Sequence, residues 1–156
     1  MNADILTRKR TSFLWWRLDV TDPPPELVLG EFGSRESRRA GVRVLPLERQ
    51  EDFTDLWGIS ASVCALQDDV AYHYWFEVSD GRPERTGTRV RITDPLAYAV
   101  DWRLRAESTV GAGDRDGYPG AVLRYQHNQL TTCDPEVGCS RVSPASGPRS
   151  RPTTAW

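Results

Sequence analysis

The stretch Tyr72-His73-Tyr74-Trp75-Phe76-Glu77-Val78 decides the fold, because it holds the clearest period-two pattern in the sequence. Successive side chains of an extended strand point to opposite faces of a sheet. One face of this stretch is entirely large and apolar, and we expect its members to be buried: Tyr72, Tyr74, Phe76 and Val78. On the opposite face, the pattern predicts that His73 and Glu77 are largely exposed.

A hairpin follows this strand. The segment Ser79–Gly87 is rich in turn-forming residues, and Thr88–Thr93 alternates again with Val90 and Ile92 facing inward. Shorter alternating segments predict five further strands, at Phe13–Val20, Leu27–Phe32, Val42–Leu47, Leu96–Leu104 and Ala121–Tyr125.

Two of these strands carry more detailed expectations. The first is predicted to place one set of residues on a common apolar face, namely Leu14, Trp16, Leu18 and Val20. The third is predicted to be bent or to lie at a sheet edge, because Pro46 cannot donate a backbone hydrogen bond.

These segments predict an all-β fold, an antiparallel β-sandwich. No amphipathic helix longer than two turns is predicted, and Ser60–Val70 has room only for a short helical turn. We expect a flexible N-terminus over residues 1–11, the sandwich over 12–135 and a disordered tail over 136–156. The tail is expected to be disordered because its composition shifts to Ser, Pro, Arg, Thr and Gly, with no acidic residue from Gly138 onward.

Charge and composition argue against several partners. Twenty basic and 22 acidic residues leave a net charge of −2, so no overall field favours nucleic acid or an anionic membrane. The longest apolar run near the start, Phe13–Trp16, is too short for a membrane span or a signal-peptide core.

Three cysteines and no export signal predict reduced thiols and a cytoplasmic location. Cys133 and Cys139 are also close enough in sequence to close a small loop.

No motif predicts a metal site, a cofactor site or a set of catalytic residues. The C-x5-C spacing of Cys133 and Cys139 lacks the second ligand pair of a zinc site. The segment Gly111–Gly117 departs from both the dinucleotide-binding and the calcium-binding patterns. On a strand, His73 and Glu77 would stand roughly 13 Å apart, beyond hydrogen-bond reach. The pairs Asp68-Asp69 and Asp94-Pro95 are interpreted as turns.

Trp75 is the candidate contact residue, because it lies opposite the predicted core face. It is therefore either covered by another layer or exposed. An exposed tryptophan stacks on the apolar faces of sugars or anchors a domain interface, and we favour the interface. Together with His73 and Trp102, Trp75 forms the predicted contact set for carbohydrate or a neighbouring domain.

Four segments resemble one known family: Asp55–Trp57, Tyr72–Val78, Thr93–Ala97 and Val100–Leu104. The sequence resembles the N-terminal β-sandwich of α-amylase-type (family 13) glycoside hydrolases. That sandwich is an immunoglobulin-like early-set domain, related to glycogen- and starch-binding modules. The most specific part is the aromatic strand followed by Thr93-Asp94-Pro95-Leu96-Ala97, and the likeness covers residues 12–135.

The resemblance implies an immunoglobulin-like accessory domain that packs on a catalytic barrel and contacts α-glucan weakly. The family's catalytic carboxylates lie in that barrel, so none is carried over here, and we expect a non-catalytic truncated or detached domain. Two alternatives stay open. One is a protein-interaction sandwich unrelated to carbohydrate, and the other is a small hydrolase that uses His73 with Asp69 or Asp94.

Overall fold

The computed structural model describes residues 4–16, 24–31, 42–53, 55–79, 88–105 and 119–133. Within these ranges the chain forms one helical turn, one short 3₁₀ helix and ten strands. In chain order they are α1 (Ile5–Arg8), β1 (Ser12–Trp16), β2 (Glu26–Glu31), β3 (Arg43–Pro46), β4 (Glu48–Arg49), β5 (Leu56–Ser60), η1 (Ala61–Val63), β6 (Val70–Ser79), β7 (Arg89–Ile92), β8 (Ala99–Arg105), β9 (Pro119–Gln126) and β10 (Gln129–Thr131). The predicted all-β class is confirmed. The predicted tail over 136–156 and the segment 111–118 lie outside the described residues.

The larger sheet is antiparallel, with strand order β10-β9-β6-β2-β3, and it is centred on the aromatic strand β6. One edge of β6 pairs with β2, and the other edge pairs with β9 and then with β7. The predicted hairpin is confirmed, since Phe76 pairs with Ile92 across β6 and β7. Strand β3 ends at Pro46 and lies at the edge of the sheet, as predicted.

The smaller sheet has the order β1-β5-β4 and covers one face of the larger one. Aromatic contacts join the two sheets: the ring centroids of Phe13 and Tyr74 lie 5.0 Å apart, and those of Trp15 and Phe76 lie 5.2 Å apart. Two antiparallel sheets that enclose one apolar core make a β-sandwich. Its buried core includes Leu27, Leu29, Leu47, Tyr72, Val78, Ala121, Leu123 and Leu130.

The predicted facing of β1 is wrong. Phe13 and Trp15 contact the core of the sandwich, whereas Trp16 is 47 % exposed. Leu14 is buried as well, so both faces of this strand are apolar. A strand with four consecutive apolar residues has no unique period-two register, and packing against Tyr74 decides it. Residues 17–20, which include Leu18 and Val20, lie outside the described residues.

The predicted facing of β6 is confirmed on one face and wrong on the other. Its core residues from Tyr72 to Val78 are buried as expected. However, His73 and Trp75 are only 4 % and 6 % exposed, and Glu77 is half-buried. The second face of β6 is covered as well as the first, so alternation along this strand does not distinguish buried from exposed residues.

The second face of the larger sheet is therefore a packed layer. The rings of His73 and Trp75 meet edge to face, with centroids 5.3 Å apart. Gly30 of β2 is paired with His73, and a Cβ atom at this glycine would lie 2.8 Å from the imidazole ring. Glycine thus makes room for the buried histidine.

The expectation of reduced thiols is wrong for Cys133, which is disulfide-bonded. Cys133 packs in the second-face layer with Ala71 and Val122. Cys64 is a free, buried thiol next to the carbonyl of Ser60, and burial raises its pKa to about 11. Its thiol therefore stays protonated near neutral pH.

Candidate functional site

Three titratable side chains, those of Lys9, Tyr74 and Asp94, lie together inside the fold. They are here called the Lys9–Tyr74–Asp94 cluster. Lys9 follows helix α1, Tyr74 lies in the middle of β6, and Asp94 follows β7. Tyr74 donates a hydrogen bond of 2.6 Å from its hydroxyl to Asp94 Oδ2. Lys9 Nζ lies 3.4 Å from the same oxygen. The same oxygen of the Asp94 carboxylate thus contacts both the Tyr74 hydroxyl and the Lys9 ammonium group.

A tight turn fixes the Asp94 carboxylate in this position. The backbone N–H of Leu96 donates to Asp94 Oδ1 at 2.8 Å, and the N–H of Ala97 donates to the Asp94 carbonyl at 3.1 Å. The predicted turn at Asp94-Pro95 is confirmed. Sequence reasoning missed that the second carboxylate oxygen points into the sandwich, because its partners are distant in the chain.

Backbone hydrogen bonds from two different elements anchor the residues that follow Lys9. The N–H of Leu130 in β10 donates to the Arg10 carbonyl at 2.6 Å, and the N–H of Ala61 donates to the Thr11 carbonyl at 2.8 Å. Lys9 Nζ also lies 4.9 Å from the centroid of the Tyr98 ring, in cation–π geometry. The segment between α1 and β1 therefore carries a buried lysine into the end of the sandwich, within a stretch predicted to be flexible.

Burial and charge shift the pKa of these groups in opposite directions. Burial lowers the pKa of Lys9, while the nearby Asp94 carboxylate partly opposes that shift. Burial raises the pKa of Tyr74 well above its usual value, and the negative charge of Asp94 adds to the effect. Both shifts favour the neutral form of the side chain. The site thus holds a lysine with a lowered pKa and a phenol that keeps its proton.

A cavity of about 10 Å³ lies within the cluster. It is lined by Lys9, Ser12, Phe13, Leu14, Tyr74, Asp94, Tyr98, Leu123 and Leu130. A volume of this size holds about one water molecule. It is far below the few hundred cubic ångströms of a small-molecule pocket. This arrangement supports chemistry among the protein's own side chains and not the binding of a substrate.

The structure separates two of the predicted contact residues from the third. His73 and Trp75 are buried in the second-face layer, so neither offers an open ring face. Trp102, on β8, is 64 % exposed. Of the three, Trp102 is the residue that is accessible to a sugar or a partner protein.

The acid–base arrangement of the hydrolase alternative is not assembled in the described residues. Asp94 contacts Tyr74, and His73 is the residue that precedes Tyr74 on β6, so the His73 side chain points to the opposite face of the sheet. Asp69 lies in an exposed turn, where its carboxylate accepts a hydrogen bond of 2.9 Å from Arg124. His73 therefore does not share a surface with Asp94.

A second exposed aromatic group lies at the end of β1. The Trp16 ring is 6.0 Å from that of Phe53, and the Arg8 guanidinium lies over the Phe53 ring at 5.3 Å. Arg8 also pairs with Asp52. In this group Trp16 is in contact with a neighbouring aromatic ring, which makes it a useful comparison for Trp102.

Among the residues that the structure describes, no group of three or more His, Cys, Asp or Glu is placed to hold a metal ion. None of the helices in that part of the chain is long and apolar enough to cross a membrane. Comparison with known proteins gave no matching family model, no matching curated protein and no matching solved structure. The family resemblance therefore rests on the sequence segments that carry it.

Proposed function

We propose that this chain is a non-catalytic accessory domain of an α-glucan-active glycoside hydrolase. In this proposal the domain has the immunoglobulin-like topology of the early-set group, packs against a catalytic barrel and contacts α-glucan weakly. Its support is the two-sheet antiparallel architecture and the placement of the resembling segments. Tyr72–Val78 is the central strand β6, and Asp55–Trp57 leads into β5.

Exposure of Trp102 is the observation that carries the binding part of this proposal. An indole ring on a sheet surface stacks on the C–H face of a glucose ring. Leu96 and Tyr98, on the segment that precedes Trp102, are also exposed and large. His73 and Trp75 then act in packing, and the contact role passes to Trp102.

The rival function is that of a protein-interaction sandwich, for which an exposed tryptophan would be the interface anchor. Retention on insoluble starch separates the two classes, because only an α-glucan contact predicts it. Trp102→Ala should abolish retention, whereas Trp16→Ala, which removes another exposed tryptophan, should leave it unchanged. Absence of retention by the wild-type chain would favour the protein-interaction class.

The proposal includes the absence of catalysis by this chain alone. Retaining glycosidases need two carboxyl groups about 5 Å apart across an open groove. Asp94 is instead engaged by Tyr74 and Lys9, inside the sandwich. Purified chain should therefore release no reducing sugar from soluble starch beyond a heat-killed control. Release above that control would contradict this part of the proposal.

A cytoplasmic location is also part of the proposal. The states of Cys64 and Cys133 favour different cellular compartments. The buried free thiol of Cys64 is common in reducing compartments, whereas the disulfide at Cys133 is typical of oxidising ones. Rapid alkylation of native cells, followed by peptide mapping, measures the redox state of Cys133. A cytoplasmic protein should yield alkylated Cys133, and a disulfide-linked Cys133 would place the protein in an oxidising compartment.

A further inference from the structure

Lys9 and Asp94 form a buried ion pair. They are 85 residues apart in sequence, yet Lys9 Nζ and Asp94 Oδ2 lie 3.4 Å apart with side chains only 7 % and 3 % exposed. Lys9 is also the only lysine in a chain whose other nineteen basic residues are arginine. Arginine cannot be deprotonated in a protein, whereas a buried lysine can become a neutral amine nucleophile.

We propose that Lys9 and Asp94 condense to form an intramolecular amide bond between Lys9 Nζ and Asp94 Cγ. This cross-link joins the segment that follows α1 to the turn that follows β7. It lies beyond the proposed binding function and does not depend on it.

The reaction balances without any added reactant. Transfer of a proton from the ammonium to the carboxylate gives a neutral amine and a carboxylic acid. The Nζ lone pair then attacks Cγ and forms the N–C bond. The bond from Cγ to Oδ2 breaks, its electron pair stays on Oδ2, and that oxygen leaves as water with a proton from Nζ. The products are a secondary amide and one water molecule, with no change of oxidation state.

The two carboxylate oxygens of Asp94 have different hydrogen-bond donors and therefore different roles in the condensation. Oδ1 accepts the Leu96 N–H at 2.8 Å, which stabilises the negative charge that develops on this oxygen in the tetrahedral intermediate. Oδ2 accepts a hydrogen bond of 2.6 Å from the Tyr74 hydroxyl, which stabilises this oxygen as its bond to Cγ breaks. The lowered pKa of Lys9 increases the fraction of neutral amine.

Proximity and dryness both favour condensation over hydrolysis. Reacting groups that are held together react with effective concentrations of about 10⁵–10⁸ M. The cavity of about 10 Å³ beside Lys9, Tyr74 and Asp94 is about the size of the one water molecule that is released. The buried rings of Phe13 and Tyr74, which line this cavity, limit the return of that water.

The test uses the single lysine of this chain. After prolonged incubation of the folded protein, denaturation and treatment with an amine-reactive acylating reagent should label only the α-amino group. Intact mass should be lower than the calculated mass by one water molecule. Tandem mass spectrometry should find a branched peptide that joins Lys9 to Asp94. Full calculated mass together with acylation of Lys9 would overturn the proposal and leave the pair as an ion pair.

Two variants make the result specific. Lys9→Arg keeps a cation near Asp94 but has no amine to condense, so it should show its full calculated mass. Tyr74→Phe keeps the ring in the core and removes the hydrogen bond to the leaving oxygen, so the cross-link should form about 100-fold more slowly. An unchanged rate in Tyr74→Phe would overturn the role assigned to the Tyr74 hydroxyl. Loss of one water molecule in Lys9→Arg would show that the dehydration lies elsewhere in the chain.

Discussion

The hydroxyl of Tyr74 and the carboxylate of Asp94 form a hydrogen bond of 2.6 Å inside the sandwich, across 20 residues of sequence. This bond links the central strand β6 to the turn that ends the β6–β7 hairpin. Because Asp94 also pairs with Lys9, the same carboxylate connects the hairpin to the segment that precedes β1. Asp94 therefore joins three parts of the chain at this end of the sandwich, in addition to the backbone hydrogen bonds from Leu130 and Ala61.

In freshly prepared protein, before the proposed Lys9–Asp94 amide forms, Tyr74→Phe should destabilise the fold through loss of that hydrogen bond. Hydrogen bonds to charged groups contribute about 1.5–3 kcal/mol. Tyr72→Phe is the matched control, because its hydroxyl accepts a neutral hydrogen bond of 2.8 Å from the Gln67 backbone. Urea unfolding should show the larger loss in Tyr74→Phe. A smaller loss than in Tyr72→Phe would mean that the Tyr74–Asp94 bond is not a principal contact.

Relative to wild-type protein in which the Lys9–Asp94 amide has not yet formed, Asp94→Ala should leave Lys9 buried without its carboxylate partner, at a cost of about 3–5 kcal/mol. The variant should also acquire a characteristic pH dependence. Asp94 raises the pKa of Lys9, so its removal lowers that pKa further below the ordinary value of 10.5. Between the lowered folded pKa and the unfolded value, the unfolded chain binds more protons, and stability therefore rises with pH.

Urea unfolding of Asp94→Ala at increasing pH measures this effect. The free energy of unfolding should increase from the lowered folded pKa of Lys9 toward about pH 10, where the unfolded lysine begins to lose its proton. The double variant with Lys9→Met should lose the rise, because nothing remains to titrate at that position. A stability of Asp94→Ala that is flat or falls over this range would contradict the burial of Lys9.

Gly30→Ala tests the packed second face of the larger sheet. A methyl group at Gly30 would lie 2.8 Å from two atoms of the His73 ring, so the variant is overpacked. Overpacking of this kind costs about 1–3 kcal/mol. His73→Ala should relieve the clash, so the two substitutions should be non-additive in a double-mutant cycle. Additive effects would show that the two residues do not touch.

Trp75 and Trp102 should differ in their effect on stability. Trp75→Ala removes a buried ring from an inner strand and should cost about 3–5 kcal/mol. Trp102→Ala removes an exposed ring and should change the free energy of unfolding by about 0.5 kcal/mol or less. Equal losses in the two variants would mean that Trp102 is packed and would remove it as a contact residue.

The sequence predicted the sandwich because local patterns encode strands. Alternation gave the core face of β6, and Pro46 gave the edge position of β3. The prediction that His73 is exposed was wrong because alternation does not indicate whether a second layer covers the sheet. Sequence reasoning also missed the pairing of Lys9 with Asp94, since no local pattern relates two residues that are 85 positions apart. The rarity of lysine in this chain was the one signal that could have drawn attention to Lys9.

Titration of the protein with a linear α-glucan oligosaccharide tests the proposed function most directly, with the indole N–H signals of the six tryptophans followed by NMR. A stacking contact contributes about 0.5–1.5 kcal/mol beyond its buried area, whereas millimolar binding requires about 4 kcal/mol. We therefore predict a Kd of about 1 mM or weaker. The Trp102 signal should move most, and Trp102→Ala should abolish the response of the other signals. Saturating shifts that persist in Trp102→Ala, or no shift of Trp102 at any concentration, would contradict an α-glucan contact at this residue.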